Sequence, residues 1–285
     1  MLAFLNPEAT IIFPDKSEID LKKTTHLGIG AHQDDLEIFA IHGIIEAYDH
    51  PQKYFTGVTV TNGRGAPRSG PFAGMSDDDL WEVRVDEQKK AASIGKYLAQ
   101  ILLNYTSKSI KTPSRKNIID DLRSILKATT PEVIYTHNLA DKHDTHVAVA
   151  LAVIETLRSL NPPQKDVKLY SCEVWRDLDW LPDEDKVAFD ISRHTDLQQA
   201  LLSVFDSQIA GGKRYDLATM GRRLANATYY QSHHIDAASR MVYAMDLTPL
   251  VYNPTMEIDR FIAGHIQTFA NDVTGRIARL KEENG

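Results

Sequence analysis

The sequence predicts an α/β fold in which a mostly parallel sheet is flanked by helices and followed by a helix-rich C-terminal extension. Between Leu27 and Val174, short β-like runs alternate with helical patterns, which is typical of parallel strands joined by crossover helices. Beyond this region the pattern becomes mostly helical. The sequence has no long linker and no internal repeat, so we expect one domain over residues 1–285, with a core at about 24–175 and the extension at about 176–285.

The core contains five candidate strands and four candidate helices. The strand candidates are short apolar runs at 27–31, 55–61, 101–104, 133–136 and 167–172. The crossover helices are predicted at 36–48, 79–99, 114–128 and 144–160. In the extension, a further strand is predicted at 187–191 and helices are predicted at 196–208, 216–227 and 258–280. This order of elements is Rossmann-like.

Composition and charge exclude several classes of protein. The chain has 285 residues, of which 42% are apolar, so it can bury a sizeable core and is not a disordered or collagen-like chain. A net charge of −7 without a long basic run argues against a nucleic-acid partner. The sequence has no apolar stretch of the roughly 18 residues that a membrane span requires, and its first residues do not resemble a signal peptide. With Cys172 as the only cysteine, we expect a cytoplasmic protein without disulfides.

The first chemically informative segment directly follows the first predicted strand. It contains His32, Asp34 and Asp35 and opens the first helix. The preceding glycines suggest a dinucleotide-binding turn, but Gln33 occupies the third glycine position and the two carboxylates would repel a pyrophosphate. A metal ion suits the same residues, because an imidazole and a carboxylate three positions later can both face a cation while the second carboxylate acts as a base.

A second segment, after the strand at 133–136, places His143 and His146 at the start of a predicted helix. Positions i and i+3 lie on one side of a first helical turn, and the carboxyl ends of parallel strands meet at one edge of a sheet. The two segments together supply two imidazoles and a carboxylate, the usual ligand set of a catalytic zinc. Iron and manganese are alternatives to zinc, and helix capping is the structural alternative to metal binding.

A polar loop follows the predicted strand at 55–61. Asn62, Arg64 and Arg68 lie in this loop among glycines and prolines, at the sheet edge where ligands bind in open parallel sheets. These side chains either hydrogen-bond a polar substrate or belong to an ordinary surface loop.

Together these motifs resemble those of the PIG-L/LmbE-like zinc deacetylases, which remove N-acetyl groups from amino sugars and their conjugates. His32-Gln33-Asp34-Asp35 is similar to the HPDD signature of that family, and His143-Asp144-Thr145-His146 is similar to its HxDH signature. Arg84-Val85-Asp86-Glu87 resembles the RxxE helix that lies between them. The order of elements agrees over roughly residues 26–210.

The resemblance implies a metal-dependent hydrolase that uses zinc and acts on an N-acetylated amino sugar or amino-sugar conjugate. In this chain it implies that His32, Asp35 and His146 bind the zinc, with Asp34 as the general base. A different metal-dependent amidase with a non-sugar substrate and a non-catalytic, metal-dependent sugar-binding module are the alternatives.

The resemblance also implies roles for two further residues. His143 would stabilise the oxyanion, with a positive charge on its ring, and Arg84 would contact the substrate. From the residues alone, Arg84 and Glu87 could equally form a pair on the surface of a helix.

The sequence departs from the family pattern at two positions. Gln33 replaces the usual proline, which is expected to loosen the turn without removing a ligand. Thr145 replaces an aspartate that helps to orient the preceding histidine, and Asp141 or Asp144 could take over that role.

Several aromatic and histidine residues have two interpretations. Trp175 and Trp180 could stack on a sugar ring or pack the extension onto the sheet. His233, His234 and His265 could line the pocket, including that of a neighbouring subunit, or lie on the surface. Because members of the resembled family are often oligomeric and the extension offers an interface, we expect a homo-oligomer.

Overall fold

An eight-stranded sheet forms the centre of the computed structural model, which describes residues 2–14, 20–113, 115–160 and 166–282. In chain order the strands are β1 (Thr10–Ile12), β2 (His26–Gly30), β3 (Phe55–Thr61), β4 (Ala99–Tyr105), β5 (Val133–His137), β6 (Lys168–Cys172), β7 (Val187–Asp190) and β8 (Met241–Asp246). Their order across the sheet is β1-β4-β3-β2-β5-β6-β8-β7.

The described part of the chain also forms eleven α-helices. They are α1 (Asp35–Phe39), α2 (Ile41–Tyr48), α3 (Asp77–Ile94), α4 (Ser107–Ile110), α5 (Lys116–Thr129), α6 (Asp144–Arg158), α7 (Thr195–Ser203), α8 (Asp206–Ile209), α9 (Tyr215–Tyr229), α10 (Thr248–Tyr252) and α11 (Ile258–Glu282). Among them we find none with the length and apolar character that crossing a bilayer requires.

The five central strands are parallel, and antiparallel strands close both edges. β2 pairs with β3 on one side and with β5 on the other, whereas β1 and β8 run antiparallel to β4 and β6. The chain therefore leaves β2 in one direction across the sheet and returns to β5 in the other. In open α/β sheets, ligands bind outside the carboxyl ends of the strands at such a switch point.

Helices cover both faces of the sheet, as the buried strands require. All seven residues of β3 are buried, as are all five of β2. One hydrophobic cluster joins the sheet to α5 and α6, and the second joins it to α1, α2, α3 and α7. The amphipathic pattern of α5 buries Ile118, Leu122 and Ile125 against the first cluster. This packing fixes the loops at the carboxyl ends of β2 and β5.

The predicted fold class is confirmed, with local differences. The predicted helix at 36–48 is divided at Ala40 into α1 and α2, and the one at 196–208 is divided into α7 and α8. The helix predicted at 114–128 begins at Lys116, and residue 114 lies outside the described residues. The sequence analysis missed β1 and β8. Since β8 pairs with both β6 and β7, the extension contributes strands to the sheet as well as helices.

Candidate metal centre

Three side chains converge at the switch point between β2 and β5. Nδ1 of His32, Nε2 of His146 and a carboxylate oxygen of Asp35 lie within 4.8 Å of one another, and these residues form a group that could hold a metal ion. Nδ1 of His32 lies 3.3 Å from Nε2 of His146 and 3.3 Å from Oδ2 of Asp35. Nε2 of His146 lies 3.4 Å from Oδ1 of Asp35. The predicted ligands, from two distant segments, are thus brought together.

Local backbone geometry aims these three side chains at one point. The N–H of His32 donates a 2.6 Å hydrogen bond to Oδ2 of Asp35, which fixes the turn between β2 and α1. His146 lies in the first turn of α6, where its ring reaches back toward the end of β2. Asp35 and His146 are almost completely buried, and His32 is half-buried. The His32 side of the group is therefore the accessible one.

The protonation of these groups suits a cation. Burial lowers the pKa values of His32 and His146, so both rings are neutral near pH 7 and offer lone pairs. Although burial opposes it, the imidazoles of His146 and His137 hold the pKa of Asp35 well below its usual value. Two neutral imidazoles and one carboxylate are a donor set that zinc accepts.

A carboxylate behind His146 fixes the orientation of its ring. Oδ2 of Asp141 lies 3.4 Å from Nδ1 of His146, so Nε2 faces the ligand group. Such carboxylate–histidine pairs are typical of metal sites, where they select the tautomer that leaves the ligating nitrogen free. Asp141 thus acts on His146 rather than on the His143 ring, which was the role considered for it from the sequence.

His137 is a neighbour of the site that the sequence analysis did not single out. Its Nε2 accepts a 2.9 Å hydrogen bond from the N–H of Ala31 and lies 3.2 Å from Oδ2 of Asp35. Its ring stacks on that of His146 with centroids 3.9 Å apart. As the last residue of β5, it closes the buried side of the ligand group.

Asp34 turns a second carboxylate toward the same cavity. Its backbone is left-handed, with φ 93° and ψ −28°, a conformation that costs a non-glycine residue about 1–3 kcal/mol. An aspartate at a helix N-cap usually accepts a backbone N–H, but this side chain makes no capping hydrogen bond and lines the cavity instead. Burial and the adjacent charge of Asp35 raise the pKa of Asp34 well above its usual value.

His143 lies on the cavity side of the ligands. Its ring stacks on His146 with centroids 4.5 Å apart and meets His32 edge to face at 5.1 Å. Burial and the two neighbouring imidazoles lower the pKa of His143 to about 4. The ring is therefore neutral near pH 7, contrary to the charged His143 expected from the sequence.

The replacement of the family aspartate by Thr145 leaves the His143 ring without a carboxylate partner. Among the described residues, Nδ1 of His143 has no hydrogen-bond partner. Asp141 accepts a 2.9 Å hydrogen bond from the backbone N–H of His143, and Asp144 is exposed. Ring stacking, not a carboxylate, therefore sets the orientation of His143.

The candidate metal ligands line a cavity of about 470 Å³. Asp34, Arg84 and His143 line it near the ligands. Aromatic and cationic side chains also line it, among them Trp175, Tyr215, Lys111 and Lys213. The ammonium group of Lys213 lies 5.0 Å from the centre of the Trp175 ring. A cavity of this size holds a ligand of the size of a sugar or a small conjugate.

Gln33 and Arg84 join the metal loop to the polar loop. Nη2 of Arg84 donates a 2.8 Å hydrogen bond to the carbonyl of Gln33, and Nε2 of Gln33 donates one of 3.3 Å to the carbonyl of Asn62. Gly63, with φ 68°, passes so close that a Cβ there would lie 2.5 Å from Oε1 of Gln33. Gln33 therefore ties the turn to the polar loop, where a looser turn was expected. Glu87 does not pair with Arg84 but accepts hydrogen bonds from Ser207.

The remaining polar-loop residues are turned away from the cavity lining. Arg64 forms salt bridges with Glu8 and Asp78, at 3.0 and 2.9 Å, and Arg68 forms one with Asp77. The side chain of Asn62 accepts a hydrogen bond from the backbone of Arg64. In this structure these three side chains brace the loop.

The two tryptophans have different surroundings, and the distant histidines lie outside the cavity lining. Trp175 lines the cavity, whereas Trp180 packs on the hydrophobic core beside α11. His233 and His234 are exposed, and Nδ1 of His265 lies 3.1 Å from Oδ2 of Asp185.

Comparison with solved structures identifies proteins that share this fold. N,N'-diacetylchitobiose deacetylase from Pyrococcus horikoshii superposes with a TM-score of 0.63 at 18% identity, covering 83% of this chain and 88% of that one. The 4-carboxy-2-hydroxymuconate hydratase GalB from Pseudomonas putida KT2440 gives a TM-score of 0.57 at 16% identity, covering 79% of this chain and 95% of that one. A deacetylase from the teicoplanin biosynthesis pathway gives a TM-score of 0.56 at 15% identity, covering 78% of this chain and 97% of that one. These neighbours include two deacetylases and a hydratase, so the fold alone does not decide the reaction.

Comparison with family models finds a match in the part of the chain that contains the candidate ligands. No curated protein matches the chain at a significant level of similarity. The family model "PIG-L: GlcNAc-PI de-N-acetylase" matches residues 27–157, a segment that begins in β2 and ends in α6 and so contains every candidate metal ligand. Residues 27–157, fewer than half of the chain, are therefore similar to this family.

Proposed function

We propose that this protein is a metal-dependent deacetylase that hydrolyses the N-acetyl group of an amino sugar or amino-sugar conjugate, with zinc as its metal. One observation carries the proposal: a free carboxylate, that of Asp34, lines the same cavity as a complete set of two histidines and one aspartate. The PIG-L family match and the deacetylases among the structural neighbours support the same reaction class.

The ligand residues and the metal would have separate tasks. His32, Asp35 and His146 would hold the ion, and Asp141 would keep Nε2 of His146 directed at it. A zinc ion held in this way lowers the pKa of a bound water to about 7 and polarises a carbonyl group.

Asp34 is the group that moves the proton. Its carboxylate is not engaged in capping α1, so it is free to accept a proton from the attacking water and return it to the departing amine. The raised pKa of Asp34, caused by burial and the charge of Asp35, suits a group that must both take and release a proton.

His143 and Arg84 would bind the substrate around the scissile amide. A neutral His143 ring donates one N–H, which can hydrogen-bond the oxygen on which negative charge develops; removing one such donor costs other enzymes about 3–4 kcal/mol. Arg84 lies almost fully buried at the cavity wall, where it would contact the substrate while holding the carbonyl of Gln33.

The remaining space of the cavity would accept the rest of the sugar or conjugate. Trp175 and Tyr215 present aromatic surface, which packs on the apolar faces of sugar rings. Lys111 and Lys213 present hydrogen-bond donors at the same surface.

The experiment is an amine-release assay on the zinc-loaded protein with acetylated amino sugars and their conjugates. We expect amine release by the wild type and a loss of turnover of about 10²-fold or more in Asp34→Asn, with the metal retained. Asparagine preserves the shape of the side chain and tolerates a left-handed backbone. Asp86→Asn, which changes an exposed carboxylate on α3, is the matched control and should remain active.

Each other outcome assigns a different function. Normal turnover in Asp34→Asn would refute the role of Asp34 as the base. Amine release from non-sugar acetamides alone would identify a different amidase, and sugar binding without amine release would identify a binding module.

A further inference from the structure

The cavity at the candidate metal centre has an uneven distribution of charge. Its lining includes three cationic side chains, those of Arg84, Lys111 and Lys213, which come from three separate segments of the chain. Among the described residues that line it, the only carboxylates are Asp34 and Asp35, which lie at the metal centre. Because the chain as a whole has a net charge of −7, this concentration of positive charge is local. A cavity lined by one sign of charge attracts ligands of the opposite sign.

The two lysines have no carboxylate partner of their own. Within the described part of the chain, neither Lys111 nor Lys213 forms a salt bridge, and both residues are exposed. The carboxylate nearest to Lys213 in the sequence is that of Asp216, which pairs instead with Arg214 at 2.7 Å. The ammonium groups of both lysines are therefore available to an anion in the cavity.

Trp175 places the charge of Lys213 within a defined distance of the metal centre. The ammonium group lies 5.0 Å from the centre of the Trp175 ring, and that ring stacks on His143 with centroids 6.4 Å apart. Nζ of Lys213 is thus no more than 11.4 Å from the centre of the His143 ring, the two distances laid end to end. The His143 ring stacks in turn on the candidate ligand His146. With the acetamide at the metal, this range suits a group on the sugar ring or on its first substituent.

Glu87 holds the segment that carries Lys213. Its carboxylate accepts hydrogen bonds from the backbone N–H of Ser207, at 2.7 Å, and from the Ser207 hydroxyl, at 2.6 Å. The N–H of Lys213 donates a 3.1 Å hydrogen bond to a carbonyl of α8. Gly211 passes so close to Ser207 that a Cβ there would lie 1.8 Å from the Ser207 carbonyl oxygen. The path of this segment is therefore fixed from α3, the helix that also carries Arg84.

We propose that the substrate is an anionic amino-sugar conjugate, and that Lys111 and Lys213 bind its carboxylate or phosphate group. This proposal rests on the proposed function, because it assigns part of the substrate of the same site. An ammonium group binds either anion as a point charge on a flexible stem. A hydrogen bond to a charged group contributes more than one between neutral groups, so the charge of the substrate should affect its binding.

Amine release from matched substrates tests the preference for an anion. N-acetylglucosamine 1-phosphate, its 6-phosphate isomer and N-acetylmuramic acid carry a phosphate or a carboxylate, and methyl N-acetylglucosaminide is the neutral counterpart. For the zinc-loaded wild type we expect kcat/KM to be about tenfold or more higher for at least one anionic compound than for the neutral one. This preference should shrink as the NaCl concentration rises. The anionic compound with the highest kcat/KM distinguishes a phosphate site from a carboxylate site.

Lysine variants locate the origin of that preference. Lys111→Gln and Lys213→Gln should each lower the ratio of kcat/KM between the preferred anionic compound and the neutral one, by about tenfold and chiefly through KM. Lys213→Arg keeps the charge and should keep the preference. Lys108→Gln is the matched control, because it removes an exposed charge from α4 that does not line the cavity.

Binding without turnover separates this proposal from the proposed function. We expect zinc-loaded Asp34→Asn, titrated in a calorimeter, to bind the preferred anionic compound about tenfold more tightly than the neutral one. Adding Lys213→Gln to this variant should remove most of that difference. If the wild type releases amine from none of the compounds while this lysine-dependent binding is present, the proposed function is refuted and the anion site is retained.

Two results would overturn the anion site and leave the proposed function standing. The first is amine release from the neutral glycoside that is as efficient as release from every anionic compound. The second is a preference for the anion that Lys111→Gln and Lys213→Gln both leave unchanged, which would assign the anion to the metal or to Arg84.

Discussion

The carboxylate of Asp141 connects three parts of the metal centre. Oδ1 accepts the backbone N–H of His143, and Oδ2 accepts that of Trp175 at 3.1 Å while facing Nδ1 of His146 at 3.4 Å. One residue therefore positions a candidate metal ligand, the proposed oxyanion contact and an aromatic wall of the cavity. His143 and His146 could be located from the sequence because the spacing of their motif is local. The contact with Trp175, 34 positions away, follows only from the pairing of β5 with β6.

We expect Asp141→Ala to weaken zinc binding by about 10- to 100-fold, because the His146 ring loses the partner that fixes its tautomer. Zinc affinity measured against a competing chelator checks this. Asp144→Ala removes an exposed carboxylate three positions away and is the control. Equal affinities in the two variants would show that Asp141 does not support the ligand.

Gly63→Ala should lower the free energy of unfolding by about 1 kcal/mol or more, and should reduce activity. Its backbone has φ 68°, and a Cβ there would lie 2.5 Å from Oε1 of Gln33 and 3.0 Å from the Arg84 guanidinium. Gly65→Ala is the matched control, because a Cβ at that position meets no atom within 4 Å. Urea denaturation of both variants measures the difference, and equal stability would mean that the contact with Gln33 is dispensable.

At the scale of the elements, α9 holds the extension to the metal loop. Nη2 of Arg223 donates to the carbonyls of Glu37 and Ile38, at 2.7 and 3.2 Å, and Nη1 donates to Gln198 at 3.1 Å. Burial lowers the pKa of Arg223 to about 9, so its guanidinium group is still charged at pH 7. The carbonyls belong to α1, the helix that begins with the candidate ligand Asp35.

Arg223→Ala should therefore destabilise the fold by about 3 kcal/mol or more, because it leaves buried carbonyls unpaired and opens a cavity. Arg214→Ala removes an exposed arginine paired with Asp216 and should cost no more than about 1 kcal/mol. Denaturant unfolding of both variants measures these values, and similar values would argue against the anchoring role.

Glu173 couples the end of β6 to α9 and β8. Its carboxylate accepts hydrogen bonds from Asn226 and from the backbone N–H groups of Leu178 and Tyr243. Burial raises the pKa of Glu173 in the folded state above its unfolded value. Its contribution to stability is thus present at low pH and is lost as the pH rises through the folded pKa.

At low pH, Glu173→Gln should have a lower free energy of unfolding than the wild type, because its amide N–H₂ faces a backbone donor. This difference in the free energy of unfolding should narrow as the pH rises, because the wild type loses the contribution of Glu173. Unfolding measured from pH 4 to pH 8 would show this, with Glu132→Gln as an exposed control. A stability difference that widens with pH would contradict the raised pKa.

The elements that the sequence predicted best are the buried central strands. β3 lies at its predicted position, 55–61, because six apolar or β-branched residues and Gly57 form an unbroken run between clear breaks. β1 was missed because three residues carry little pattern, and it is formed only by pairing with β4. β8 was missed because a strand of the sheet was not expected within a helical extension, and its partners β6 and β7 lie on either side of it.

For the whole molecule, strand order converts two sequence motifs into one site. β2 and β5 are neighbours in the sheet although their segments are about a hundred residues apart, and the motifs follow their carboxyl ends. The ligand types and their local spacing were readable from the sequence. The sequence did not predict three other features: the left-handed backbone of Asp34, the neutral ring of His143, and the orientation of Arg64 and Arg68. Each of them depends on packing between distant segments.

Zinc stoichiometry tests the central claim, that the switch point of this sheet is a metal site. After equilibrium dialysis against Zn²⁺, elemental analysis should find about one zinc per chain in the wild type and in His233→Ala, which changes an exposed histidine. His146→Ala should lose the ion, because only two ligands remain. A wild type that binds no zinc, or a His146→Ala variant that binds it as well as the wild type, would contradict the account.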